Sequence, residues 1–235
     1  MKTRRMFLAA AASSLVLVSP KQVPAAESSK EKEKEQEGEG VGAAEDLMRE
    51  HGALERVLLI YEEAARRLET SPEGNTAATV AQTAALVRKF VEDYHSQLEE
   101  KHVFPVFEKR GQLVELVRTL RQQHDAGRKL TDAILRRANP LHVGKDSGRK
   151  ELIADLRAFS RMYRPHAARE DTVLFPALHG LLGAHDLHEL GEQFEELEDK
   201  LFGEGGFEKT VAAVAEIEKS LGIHELAQFT PVAPA

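Results

Sequence analysis

The chain has no cysteine and no tryptophan. The first absence removes disulfides, zinc ribbons, iron–sulfur clusters and thiol catalysis. Any transition-metal site must therefore use histidine, carboxylate or both. Aromatics make up only 6% of the residues, and the alternating apolar runs that half-buried strands need are scarce. The formal net charge is −7, with no basic cluster beyond the first few residues. That balance argues against nucleic acid as a partner. No apolar run is long enough for a comfortable membrane span.

What remains is abundant Ala, Leu, Glu, Arg and Lys, a helix-forming composition. At 235 residues the chain can bury one substantial core. The expectation is an all-α fold.

Residues 1–26 read as a signal peptide. Lys2, Arg4 and Arg5 precede the short apolar stretch Met6 to Val18, and Val23-Pro24-Ala25-Ala26 offers small residues for cleavage. Thr3-Arg4-Arg5-Met6-Phe7-Leu8 resembles the twin-arginine export signal, which carries folded proteins out of the bacterial cytoplasm. The expected location is the periplasm or another extracytoplasmic space, with no stable membrane span once the signal is removed. Residues 27–42 are a Glu/Lys/Gly run that cannot bury enough to offset its ordering entropy, and they read as a disordered charged linker.

Periodic apolar residues then predict helices over about 43–68, 76–107, 112–138 and 149–177, with accessory helices over about 184–201 and 207–221. Short connections favour antiparallel neighbours. The expected architecture is an up-down four-helix bundle over residues 43–181, with C-terminal helices and a tail over 182–235. Pro165 falls inside the fourth helix and predicts a kink. Two Phe-Pro pairs, Phe104-Pro105 and Phe175-Pro176, predict a bend or an end of their helices.

Those pairs close a pattern that the chain spells twice. His95 to Pro105 and His166 to Pro176 both read H-x-x-x-E-(acid)-x-x-(aliphatic)-F-P. Each copy follows another helical histidine, His51 and His124, at nearly equal spacing. Residues four apart lie on one helix face, so His95 and Glu99 point together, as do His166 and Glu170. A carboxylate has two oxygens and can bridge two ions, and each histidine supplies one nitrogen. The candidate metal-ligating residues are thus His51, His95, Glu99, His124, His166 and Glu170. Imidazole suits iron, zinc, copper or nickel, so spacing alone leaves the metal open. Buried glutamates are costly unless paired or bound to metal, which strengthens the assignment. His102 lies on the same face as His95, but its counterpart is Val173, which predicts a packing layer. Tyr94 and Tyr163 read as core residues near the site.

This arrangement resembles the hemerythrin-like (HHE) family of di-iron four-helix bundles. The resemblance spans about Ala43 to Leu181 and rests on Glu50-His51, the two H-x-x-x-E…F-P copies and His124. It implies two non-haem iron ions, oxo- or hydroxo-bridged, held with bridging carboxylates. It further implies binding or reductive handling of O2, peroxide or NO, with peroxidase-like or NO-reducing activity and an electron donor among the possible consequences. Oxygen or iron sensing through a partner protein, and a non-redox zinc bundle, are the alternatives. One departure stands out. O2-carrying members have a histidine one turn after the third histidine, where this chain has Arg128. Water, Glu55, Glu100 or Asp171 would have to complete that coordination, and an open position favours reactivity over storage.

Overall fold

The computed structural model describes residues 42–70 and 75–231. The signal-peptide reading and nearly all of the linker lie outside them, as do residues 71–74 between the first two predicted helices and the end of the tail. Among the described residues every regular element is helical.

Helix α1 spans Ala43–Thr70. Its apolar positions recur every three or four residues, so Leu47, Leu54, Leu58, Tyr61 and Leu68 are all buried on one face. Residues 76–110 form a second continuous run, α2, that changes pitch on the way. It is α-helical over Thr76–Leu86, π-helical over Val87–His95, α-helical over Ser96–Leu98, π-helical over Glu99–Val103 and α-helical over Phe104–Arg110. Helix α3 is Val114–Arg137. A fourth run, α4, covers residues 146–181 as an α-helix over Asp146–Arg169, a π-helical turn over Glu170–Leu174 and an α-helix over Phe175–Leu181. Helices α5 (Ala184–Phe202) and α6 (Gly206–Ser220) follow.

The α-helix of α4 runs through Pro165 without interruption. The Phe-Pro pairs do not end their helices either. Each is preceded by a wide π-helical turn that starts on the motif glutamate, and α-helix resumes at the phenylalanine. Proline lacks an N–H and crowds the carbonyl four residues back. A widened turn there relieves both problems, and such turns recur at functional sites. Helix α3 starts two residues later than the periodicity predicts. Gly111 caps α2 in the left-handed region at φ 66°, and Leu113 also has positive φ, which forces a turn before α3. The stretch between the third and fourth predicted helices contains a one-turn helix at Pro140–Val143.

Side-chain contacts fix how the runs align. Along α1 the partners on α4 descend: His51 meets Asp171, Glu62 meets Arg164 and Glu69 meets Arg157. Along α2 the partners on α3 descend likewise: Arg88 meets Asp132, Glu100 meets Arg128 and Glu108 meets Arg121. Helices α3 and α4 pair Gln123 with His166 and Arg137 with Asp155, again in opposite senses. Helices α5 and α6 cover the α1 and α2 side. Arg56 donates twice to Glu218, Tyr94 donates to the Phe194 carbonyl at 3.3 Å, and Phe90 and Tyr94 meet the edge of Phe202. No helix among the described residues is long and apolar enough to cross a membrane.

Candidate metal centre

The six predicted residues converge. His51, His95, His124 and His166 come from α1, α2, α3 and α4, and Glu99 and Glu170 open the two π-helical turns. All six are at most 4% exposed. Candidate ligand atoms of Glu99, His124, His166 and Glu170 lie within 4.8 Å of one another, as do those of His51, His95 and Glu99.

Their arrangement has an internal two-fold logic. His51 and His95 approach through their Nε2 atoms at 3.1 Å, and His124 and His166 do the same at 3.2 Å. Glu99 reaches one histidine of each pair, with Oε2 at 3.6 Å from His95 Nε2 and 3.3 Å from His124 Nε2. Glu170 completes the crossing, with Oε2 at 3.4 Å from His51 Nε2 and 3.1 Å from His166 Nε2. Each carboxylate therefore spans the two histidine pairs.

The remaining ring nitrogens are all engaged outward. His51 Nδ1 is 2.7 Å from Asp171 Oδ1, and His95 Nδ1 is 2.5 Å from Glu50 Oε2. His124 Nδ1 is 2.8 Å from Glu100 Oε1, and His166 Nδ1 is 2.9 Å from Gln123 Oε1. With carboxylate or amide oxygens as acceptors, each Nδ1 is the donor, and each Nε2 faces inward and offers a lone pair once it holds no proton. With all four rings neutral, the lone pairs meet in two close couples. Two nitrogens bound to one ion at about 2.0–2.1 Å, with an angle between square and tetrahedral, sit roughly 2.8–3.4 Å apart. The observed separations fall in that range. Both oxygens of Glu99 and both of Glu170 are fully buried with no hydrogen-bond partner. Such atoms are rare in a folded protein and call for a cation. The donor set and its orphaned oxygens fit a pair of metal ions.

The doubled motif has a physical reading position by position. The acid after each glutamate orients the upstream histidine of the other half: Glu100 holds His124, and Asp171 holds His51. The motif phenylalanine covers the same ring. Phe104 stacks on His124 with centroids 5.5 Å apart, and Phe175 stacks on His51 at 5.7 Å. The residue before each upstream histidine, Glu50 or Gln123, orients the motif histidine of its own half.

The geometry reassigns the three side chains that could have filled the open coordination position. Glu100 and Asp171 face the outward nitrogens of His124 and His51. Glu55 lies on the surface, 46% exposed in its side chain and 3.6 Å from Arg164. Arg128, at the departure from the O2-carrier pattern, donates to Glu100 at 2.7 Å. Gln123 escapes sequence reading altogether, since only its place before His124, matching Glu50 before His51, could mark it. His102 packs edge-on against Phe194 and stays out of the cluster. Tyr163 meets the edge of the His166 ring, centroids 5.3 Å apart, and its buried hydroxyl has no partner.

Electrostatics follow from these contacts. Burial opposes charge on His51, but Asp171 and Glu170 outweigh it and hold the ring up to about 10. Burial likewise opposes charge on His124, which Glu100 and Glu99 hold up to about 9. His95, fully enclosed and next to His51, is pulled down to about 4. Burial works against ionised Glu170, yet His166 and His51 keep it below the usual carboxylate range.

Residues 42–178 match the model of the hemerythrin HHE cation binding domain. Uncharacterized proteins of Mycobacterium bovis (Mb2018) and Mycobacterium tuberculosis (Rv1995) are 48% identical over 189 residues, covering 80% of this chain and 74% of theirs. No solved structure matches. The chain belongs to the hemerythrin HHE cation binding domain family.

Proposed function

We propose that the protein is an up-down antiparallel four-helix bundle carrying two non-haem iron ions, and that it binds or reductively handles O2, peroxide or NO. His51 and His95 would hold one ion and His124 and His166 the other, with Glu99 and Glu170 bridging. The observation that carries this reading is the crossing of each glutamate between two histidine pairs whose Nε2 atoms point inward. When bound, a pair of irons supplies electrons and Lewis acidity to a small oxidant or diatomic ligand.

The chain's own residues do the rest. Four outward hydrogen bonds fix which nitrogen of each ring faces the ions. Phe104 and Phe175 seal two of the rings and keep bulk water away. The ligating residues are almost wholly enclosed, which restricts access to small species. Arg128 replaces the fifth histidine of the carriers, so one coordination position is left for an incoming ligand. That favours turnover, peroxidase-like or NO-reducing, over simple storage. The electron donor would be a separate molecule. Export by the twin-arginine route would deliver the loaded bundle to an extracytoplasmic space.

Elemental analysis together with an absorption spectrum of the purified protein tests the proposal. Two irons per chain and near-ultraviolet bands that respond to azide or peroxide are expected. A colourless chain that stays metal-free after anaerobic iron loading would exclude it. Glu99→Ala and Glu170→Ala should each abolish the paired site, and two irons retained in both variants would remove the bridging assignment.

A further inference from the structure

We propose that Asp46, Glu50 and Glu198 form a second cation site, built from oxygen alone, that takes one hard divalent ion of the calcium or magnesium type. Each of the three brings a carboxylate oxygen within 4.8 Å of the other two. Each also has one oxygen fixed by the protein. Asp46 Oδ1 accepts from Arg49 at 3.1 Å, Glu198 Oε1 accepts from the Phe207 N–H at 2.8 Å, and Glu50 Oε2 accepts from His95 at 2.5 Å. With Oε2 taken, Oε1 is what Glu50 has left to offer.

That oxygen separates this cluster from an ordinary acidic patch. Glu50 is 2% exposed, and its Oε1 is buried with no hydrogen-bond partner; the neighbouring Tyr94 hydroxyl is turned to the Phe194 carbonyl at 3.3 Å. A buried carboxylate oxygen without a donor needs a cation or a proton. Arg49 is the nearby counter-charge, but it is shared with Glu208 at 3.6 Å and lies over the Phe207 ring. Burial and the neighbouring Glu50 push the Asp46 carboxyl up to about 6, and burial also raises Glu198, so negative charge on this cluster is costly. The approach is a groove between α1, α5 and α6 lined by Glu195, Asp199, Glu204 and Glu208. More acids there concentrate cations at its mouth.

The donor chemistry selects the ion. Three carboxylates with no imidazole suit a hard cation that accepts oxygen ligands and keeps several waters. Glu50 joins this site to the central cluster, because its other oxygen polarises His95. An ion on Glu50 therefore moderates the basicity of His95 from outside.

The test is titration of the full chain with Ca2+ alone and with Mg2+ alone, read by calorimetry and by the thermal midpoint. Glu198→Gln and Asp46→Asn are the variants, and both keep the oxygen that accepts from Phe207 or Arg49. One ion of at least one kind should bind per chain, with a midpoint that climbs with ion concentration. Binding should weaken roughly tenfold or more in whichever variant folds, as ligand charge is lost. The transition-metal content of the central cluster, measured in parallel, should stay the same in both. Failure of both ions to bind the parent, or unchanged binding in the folded variants, overturns the proposal. Neither result depends on whether the central cluster holds iron.

Discussion

Arg128 and Glu100 form an ion pair at 2.7 Å, and the same Glu100 oxygen lies 2.8 Å from His124 Nδ1. The arginine that displaces a fifth histidine thus steadies the carboxylate that orients the third. Arg128→Ala should loosen Glu100, let the His124 ring reorient and weaken metal binding about 10–100-fold, the usual cost of losing an outer partner. Competition with a chromogenic chelator measures this. Unchanged affinity would show that Glu100 holds His124 unaided.

Much of this site is legible in the sequence, and the reasons are specific. A four-residue period on a helix puts His95 with Glu99 and His166 with Glu170, and duplication ties the two halves together. The crossing is not legible. Nothing in a one-dimensional pattern says that Glu100 serves His124 across the interface of α2 and α3, or that Asp171 serves His51 across α1 and α4. Those contacts depend on which helices become neighbours and on the wide turns that begin at Glu99 and Glu170. In the sequence those turns read as a bend or an end of the helix, because proline announces a defect in the hydrogen-bond ladder without saying how the chain absorbs it. Glu50 and Gln123 show the same limit: a polar residue beside a site histidine points away from that histidine, and its own partner lies on another helix.

Gly127 lies directly against Tyr163. A Cβ added there would overlap the Tyr163 hydroxyl and the adjoining ring carbons. In a free helix, Gly→Ala gains up to about 1 kcal/mol. Here the clash reverses the sign, and Gly127→Ala should destabilise by about 1–3 kcal/mol as the ring is driven off its position. Tyr163→Phe removes the clashing atom and a buried hydroxyl with no partner, so the double variant should recover most of the loss. Denaturant midpoints for the two singles and the double close the cycle. Additive effects would show that the two residues do not meet.

The two histidine pairs are not equivalent, and Gln123 is why. His51, His95 and His124 each turn Nδ1 to a carboxyl group, whereas His166 turns to an amide. A carboxylate partner raises the basicity of a ligating ring more than an amide does. The His124 and His166 end should therefore release its ion first. Under a chelator the parent should lose two ions in separate steps, and Gln123→Glu should slow the faster step by roughly tenfold, bringing the two together. Identical release traces for parent and variant would remove Gln123 from the account.

The metal-free chain should lose stability on the alkaline side. His51 is held up to about 10 and His124 up to about 9, against an ordinary 6.5, because Asp171 and Glu170 for the first, and Glu100 and Glu99 for the second, overcome the cost of burial. A raised folded value contributes stability that is complete below the unfolded value and is lost as pH climbs through the folded one. Glu50, pushed up to about 8 by burial and by Glu198, acts in the same direction, since its protonated form is the one the fold favours. His95, drawn down to about 4 by burial, only takes stability away as pH falls below its ordinary 6.5. Unfolding midpoints of the metal-free protein should accordingly drop between about pH 7 and about pH 10. Metal occupies the inward nitrogens in place of those protons, so loading should release protons and flatten the slope. Midpoints that match at both pH values without metal would mean that the buried imidazoles are already neutral, and that the carboxylates around them do not hold the protons the geometry assigns.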